Sequence, residues 1–269
     1  MQASINLQEW FGGIDIYLFD QLLKGRIVPG MRVLDAGCGS GRNLVYFLRS
    51  GYEVFGVDES GQQIAQLRQL AAALAPQLPA ENFWVGSVER LEADGRRQEA
   101  DGRKQEAQAT DAGTRGKGDA GKAARSDLSA DYTNYTEQKE AGRMSSTPRG
   151  LPAWGPRPAL PEFDVVLSSA VLHFARDEEH WQAMVNEMWR VLKPGGMLFA
   201  RLASTIGVED KIALIEGRRY RLPDGSDRFL VNAEMLRRVT AALGGEFLEP
   251  IKTTVVENRR AMTTWVVRK

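Results

Sequence analysis

The stretch Val33 to Asn43, VLDAGCGSGRN, constrains this chain more than any other, because it joins the end of an apolar strand to a helix through a turn with glycine at alternate positions. Gly37, Gly39 and Gly41 leave that turn without side chains, so backbone amides and a helix N-terminus can approach a ligand closely. The spacing is GxGxG, not the GxGxxG of dinucleotide folds, and Asp35 precedes it. A carboxylate there would repel a pyrophosphate, so the expected ligand is cationic and free of phosphate. Asp58 ends the next strand 23 residues beyond Asp35, where an acidic side chain accepts hydrogen bonds from a ribose diol. Two acids and three glycines thus describe a nucleoside with a positively charged amino-acid tail.

Helix and strand signals alternate around this loop. Arg42 to Ser50 reads as a helix with Leu44, Val45, Phe47 and Leu48 apolar, and Gly51 stops it. Tyr52 to Asp58 is a strand. Ser60 and Gln63 form a capping box for a helix carrying Ile64, Leu67, Ala71 and Leu74, which Pro76 ends. Asn82 to Gly86 and Phe163 to Ser168 are further strands. A helix capped by Asp177 carries Trp181, Met184, Met188 and Val191, and Pro194, Gly195 and Gly196 are expected to stop it before the strand Gly196 to Leu202. Asn232 caps a helix with Leu236, Val239 and Leu243. Ile251 to Val256 and Met262 to Val267 then read as a terminal hairpin. The expected fold is α/β: a doubly wound, mostly parallel seven-stranded sheet with a C-terminal antiparallel hairpin, binding ligands at the carboxyl ends of its strands.

Composition interrupts this pattern once. Between 92 and 160 large apolar residues become sparse, and the heptad EADGRRQ (Glu92 to Gln98) recurs as EADGRKQ (Glu99 to Gln105). Joining Leu91 to Pro161 would restore a short connection between two strands, so the expected organisation is one domain, 1–269, interrupted by a low-complexity, disordered insertion at about 92–160. A tolerated surface expansion is favoured there over a partner-binding segment. Lys plus Arg (35) equals Asp plus Glu (35), which disfavours nucleic acid as a partner. The single cysteine, Cys38, excludes an internal disulfide and a four-cysteine zinc site, and no metal is expected. No apolar run approaches the roughly 20 residues that span a bilayer, so the expected protein is cytoplasmic, with no membrane partner.

On these motifs the chain resembles the class I S-adenosylmethionine-dependent methyltransferases of Rossmann-like fold. The resemblance covers about Arg32 to Leu202 outside the insertion. In that family the segment matched by Asp35 to Gly41 cradles the methionine part of the cofactor, and the acid matched by Asp58 holds the ribose. GSVERL (Gly86 to Leu91) is similar to the motif bordering the adenine, with Ser87 where the family often has Asp. FDVVLSSAVLHF (Phe163 to Phe174) and WRVLKPGGMLF (Trp189 to Phe199) are similar to the motifs that follow. GCGSGRNLVYFLRSGYEVFGVD further resembles the small-molecule branch that includes tellurite-resistance methyltransferases. The resemblance implies S-adenosylmethionine as cofactor, held by Asp35, Gly37, Cys38, Gly39, Gly41, Asp58, Glu59, Ser87, Val88 and Ser168. It implies in-line methyl transfer to a small-molecule oxygen, nitrogen, sulfur or chalcogen nucleophile.

Ser168, Ser169, Ala170 and Val171 stand where amino-nitrogen nucleic-acid methylases carry a prolyl-aromatic tetrad, which again points to a small acceptor. His173 is either a general base or a packed histidine. Arg201 interrupts an apolar strand at its carboxyl end and needs an acidic partner or an anionic ligand; these two residues are the catalytic candidates. Cys38 reads as a small loop residue and His180 as an exposed one. Trp10, Phe11, Ile14, Tyr17 and Leu18, with Gly12 and Gly13 as hinges, read as core packing ahead of a lid. Two rivals remain: a nicotinamide-dependent oxidoreductase, which the loop spacing argues against, and a cofactor-sensing module that transfers nothing.

Overall fold

The computed structural model of the chain describes residues 6–91 and 160–269. Apart from its last residue, the expected insertion lies outside them. The first half contains α1 (Leu7–Phe11), α2 (Ile16–Leu23), β1 (Arg32–Ala36), α3 (Val45–Arg49), β2 (Glu53–Asp58), α4 (Gly61–Leu74) and β3 (Phe83–Val85). After residues 92–159 come β4 (Phe163–Ser169), α5 (Glu178–Val191), β5 (Leu192–Ser204), β6 (Ala213–Glu216), β7 (Arg219–Arg221) and β8 (Asp227–Phe229). The chain ends with α6 (Ala233–Ala242), β9 (Glu246–Phe247), β10 (Lys252–Val256) and β11 (Arg260–Arg268).

One sheet runs in the order β10-β11-β5-β4-β1-β2-β3, with β9 also paired to β11. The five strands from β5 to β3 are parallel, and β11 pairs antiparallel to β5, β10 and β9. This is the expected doubly wound sheet with its closing hairpin. Alternation along each strand sorts the core into two layers. Val33, Leu167, Phe199 and Val266 join Leu18 of α2, Phe47 of α3 and Leu67 of α4 on one face. Leu34, Val166, Leu198 and Trp265 join Trp181 of α5 and Leu236 of α6 on the other. Among the described residues no helix is long and apolar enough to cross a membrane.

The helices begin where their caps dictate. Asp15, Ser60, Asp177 and Asn232 each accept a backbone N–H from the first turn of α2, α4, α5 and α6. Several element ends shift by a few residues from the sequence expectation, and two differences change the layout. α5 stops at Val191, and Pro194 and Gly195, expected before the strand that begins at Gly196, lie inside β5. The chain terminus draws them into the sheet: Gly195 N–H donates to Lys269 O (2.7 Å) and Lys269 N–H to Gly196 O (3.0 Å). The second difference is a three-stranded antiparallel sheet, β6-β7-β8, that sequence periodicity did not single out. Its strands are only three or four residues long, too short for a pattern of period two to register.

Candidate active site

The glycine loop leaves β1 and is fastened to β2 before it turns. Gly37 and Cys38 N–H both donate to Val57 O, at 2.8 and 3.0 Å. Gly39 N–H then donates to one Asp58 oxygen (3.0 Å) while Ser60 N–H donates to the other (2.9 Å). Asp58 thus clamps the loop to the start of α4, a role that sequence reading missed. The capping box is correspondingly half made: Gln63 N–H reaches Ser60 Oγ, but Ser60 N–H is taken by Asp58. Each glycine has a different reason to be there. Gly37 has φ +87°, and a Cβ on it would lie 2.4 Å from Val171 Cγ2. Gly41 packs on Leu67, but a Cβ on Gly39 would meet only Gln63 Oε1 at 3.8 Å, so there is open space beside that position.

Asp35 is 1% exposed, and neither carboxylate oxygen has a hydrogen-bond partner. Burial pushes its pKa up to about 7; nearby Arg42 pulls it down and the Asp58 carboxylate pushes it further up. A buried acid with both oxygens unmet beside a loop of backbone amides is a site for a cation. Cys38, also buried, has its thiol pushed well above the ordinary value by burial and by both acids, which is the reverse of nucleophile activation.

The unmet polar atoms divide between the two faces of the sheet. Among the described residues, those buried without a hydrogen-bond partner are Asp35 Oδ1 and Oδ2, Ser168 Oγ, His173 Nδ1, Arg201 Nη1, Thr264 Oγ1 and Trp181 Nε1. Asp35, Arg201 and Thr264 leave the same face of β1, β5 and β11 as Val33, Phe199 and Val266, whereas Ser168 on β4 leaves the opposite face with Val166 and Ala200, and His173 lies in the turn after β4. The turn leaving β4 is made by Ala170, at φ +64°, whose N–H donates to Arg201 O.

Arg201, for which the sequence left open an acidic partner or an anionic ligand, is paired with an acid from the N-terminal segment. Its Nε is 3.0 Å from Asp15 Oδ2, and its guanidinium lies 4.5 Å from the centre of the Tyr17 ring. Ser169 Oγ links Asp15 Oδ2 (3.5 Å) to Arg42 Nη2 (3.4 Å), and Asn43 accepts the Asp15 N–H. The N-terminal segment therefore both packs, through fully buried Leu18, and roofs the carboxyl ends of β4 and β5. Asp15, Arg42 and Ser169 connect to Arg201, and Thr264 pairs with it across β5 and β11; sequence reading nominated none of the four. The signal available for Asp15 was an acid set among the apolar residues of that segment.

His173, in a 3-10 turn after β4, is 8% exposed. Burial, then Arg228 and Arg260, lower its pKa to about 3, so the ring is neutral at physiological pH. Ser87 caps its own turn, accepting Glu89 N–H, while Val88 is buried in the core layer of Leu34 and Trp84, and Glu59 is exposed. His180 is not exposed as expected: its side chain is 12% accessible, with Nε2 2.7 Å from Glu89 Oε2. Burial, then Arg176, lowers its pKa against the pull of Glu89.

A family model described as a methyltransferase domain matches residues 17–246. A search of curated protein sequences returned no match. Among solved structures, a S-adenosylmethionine-dependent methyltransferase from Methanosarcina mazei is 16% identical, with 92% of this chain and 96% of that chain covered and a TM-score of 0.55. The magnesium protoporphyrin IX methyltransferase of Synechocystis, solved with S-adenosylhomocysteine, is 14% identical over 100% of this chain and 90% of that one, with a TM-score of 0.54. The 1,6-didemethyltoxoflavin-N1-methyltransferase of Burkholderia thailandensis, solved with that compound and S-adenosylhomocysteine, is 14% identical over 100% of this chain and 93% of that one, with a TM-score of 0.53. At these identities the likeness is one of fold.

Proposed function

The chain belongs to the methyltransferase-domain family, and from that premise we propose that it binds S-adenosylmethionine at the Gly37–Gly41 loop and transfers the methyl group in line to a small-molecule acceptor. The observation that carries this reading is the buried, unpartnered carboxylate of Asp35 beside a loop whose Gly39 position stays open. That arrangement fits an ammonium group and repels a phosphate. Asp58 spends one lone pair of each oxygen on a backbone amide, and the remaining pairs are what a ribose diol would meet.

The bound cofactor would supply an electrophilic methyl on a sulfonium. The protein's part is alignment and exclusion of water. Asp15 and Tyr17 close the carboxyl ends of β4 and β5 through Arg201, and Ser168 and His173 carry unmet polar atoms at the end of β4 and in the turn after it. A neutral His173 with so low a pKa orients or bounds an acceptor and does not store its proton, which suits a nucleophile that arrives already deprotonated or needs no base. Glu59, Ser87 and Val88 would border the adenosine end. The cognate acceptors of the Synechocystis and Burkholderia relatives are small molecules by their names, and this supports a small acceptor here.

Calorimetry with S-adenosylhomocysteine tests the cofactor, and release of that product from S-adenosylmethionine over a panel of small acceptors tests transfer. Binding plus product with any acceptor is the expected result. Thermal stabilisation by NADH and none by S-adenosylhomocysteine would reverse the reading in favour of an oxidoreductase. Tight binding with no product across the panel would favour the sensing module.

A further inference from the structure

Arg201 and Thr264 are directly opposed across the antiparallel pair β5·β11, so their side chains leave the same face of the sheet. That face is the one covered by α2. Thr264 is 3% exposed and its hydroxyl has no partner; Arg201 Nη1 is likewise buried and unpartnered, although Nε of the same guanidinium is engaged by Asp15. Two adjacent buried donors left unmet in a face otherwise packed with Phe199 and Val266 carry a desolvation cost unless a ligand takes them. One is charge-assisted and planar, the other a freely rotating hydroxyl, which together suit the two oxygens of a carboxylate.

We propose that Arg201 Nη1 and Thr264 Oγ1 form a subsite for a carboxylate of the methyl acceptor, beneath the roof made by Asp15 and Tyr17. The proposal rests on the methyltransferase reading above and narrows its acceptor to a small carboxylic acid. A carboxylate could also come from the cofactor's methionine end, but the strand order favours the acceptor. Asp35 on β1 and Arg201 on β5 are separated by β4, two strand spacings or roughly 10 Å. The ammonium and carboxylate of an amino acid share one carbon. An ammonium at Asp35 therefore keeps its carboxylate near Arg42, with Ser169 and Asp15 standing between Arg42 and Arg201.

The test is Thr264→Val, which removes the hydroxyl, keeps the shape and suits a strand. Benzoate and acetate, with benzamide and acetamide as uncharged controls, are titrated into the full chain with and without S-adenosylhomocysteine. We expect at least one carboxylate to bind wild type with its amide at least tenfold weaker, and Thr264→Val to weaken that carboxylate about tenfold. S-adenosylhomocysteine affinity is expected to stay within twofold, and the melting temperature to hold or rise because an unmet buried hydroxyl has gone. No carboxylate binding, or equal binding by wild type and variant, overturns the subsite. Weaker S-adenosylhomocysteine binding in Thr264→Val, with methylthioadenosine unaffected, overturns it by assigning the two donors to the cofactor's own carboxylate. The direct S-adenosylhomocysteine titration of wild type judges the cofactor reading separately, because the carboxylate titrations are also made without it.

Discussion

At the scale of single residues, Asp35 couples stability to ligand binding. Its folded-state pKa, about 7, lies above the ordinary 3.8, so folding favours the protonated acid. The stability this contributes is fully present below about pH 4 and is lost as pH rises through 7, by about 4 kcal/mol at most. A bound ammonium reverses the preference, so S-adenosylhomocysteine should bind more tightly as pH rises over that window. Asp35→Asn should flatten both trends, making the ligand-free variant more stable than ligand-free wild type above pH 7 and weakening the ligand at least tenfold. Melting and calorimetric titrations at several pH values check this; parallel pH profiles for the two proteins would remove Asp35 from the site. The glycines separate in the same way. Gly37→Ala meets both a φ of +87° and Val171 Cγ2 at 2.4 Å, so it should cost more than about 2 kcal/mol of stability. Val171→Ala in that background should recover the part due to the clash but not the part due to the backbone. Gly39→Ala, with φ +53° and open space around it, should cost only about 1 kcal/mol of stability while reducing S-adenosylhomocysteine affinity at least tenfold. Equal stability losses for the two glycine variants would show that the loop is not divided between packing and ligand.

At the scale of elements, the roof over the site depends on how α2 is fastened to the sheet. Glu249, 7% exposed in the segment before β10, accepts hydrogen bonds from Gln21 and Lys24 at α2, from Arg26 and from Lys252. Burial works to raise its pKa, yet the bonds from Lys24, Lys252, Gln21 and Arg26 carry it down to about 2. Its contribution is therefore present above the unfolded value near 4.5 and lost as pH falls towards 2. Glu249→Gln should cost about 2 kcal/mol at neutral pH, reduced from a fully buried pair because the cations are partly exposed, and the gap to wild type should close in acid. Amide hydrogen exchange should locate the loss in α2, and a loss spread evenly over the sheet would contradict the fastening. None of this network was legible in the sequence, since Gln21 and Glu249 stand 228 positions apart and no local pattern pairs them. What was legible is what period and caps encode: β1, β2, β4, α4, α6 and the terminal hairpin. The end of α5 was misjudged because Pro194 and Gly195 are local stop signals, whereas the residue that draws them into a strand, Lys269, is a distant one. The site divides similarly. Asp35, Asp58 and the glycines lie on one local motif, but Asp15, Ser169 and Thr264 meet Arg42 and Arg201 only through the fold.

At the scale of the whole molecule, the question is how a compact sheet accommodates the polar stretch between β3 and β4. Leu91, the last residue before it, is 1% exposed, donates its N–H to Glu187 and accepts from Arg190, both on α5. Leu160, the first residue after it, packs against the same apolar layer as Leu91. We propose that one methyltransferase domain runs through both flanks and that the intervening stretch lengthens a surface connection. Replacing residues 92–159, 68 positions, by about eight Gly/Ser residues shortens the loop roughly three doublings, which lowers its closure entropy by about 2 kcal/mol. The shortened chain should therefore unfold at the same or higher denaturant concentration and bind S-adenosylhomocysteine within about twofold of the full chain. Retained stability with a tenfold loss of affinity would make the stretch part of the binding site. Failure of the shortened chain to fold, while linkers of twice that length fail as well, would show that the domain depends on those residues and is not merely interrupted by them.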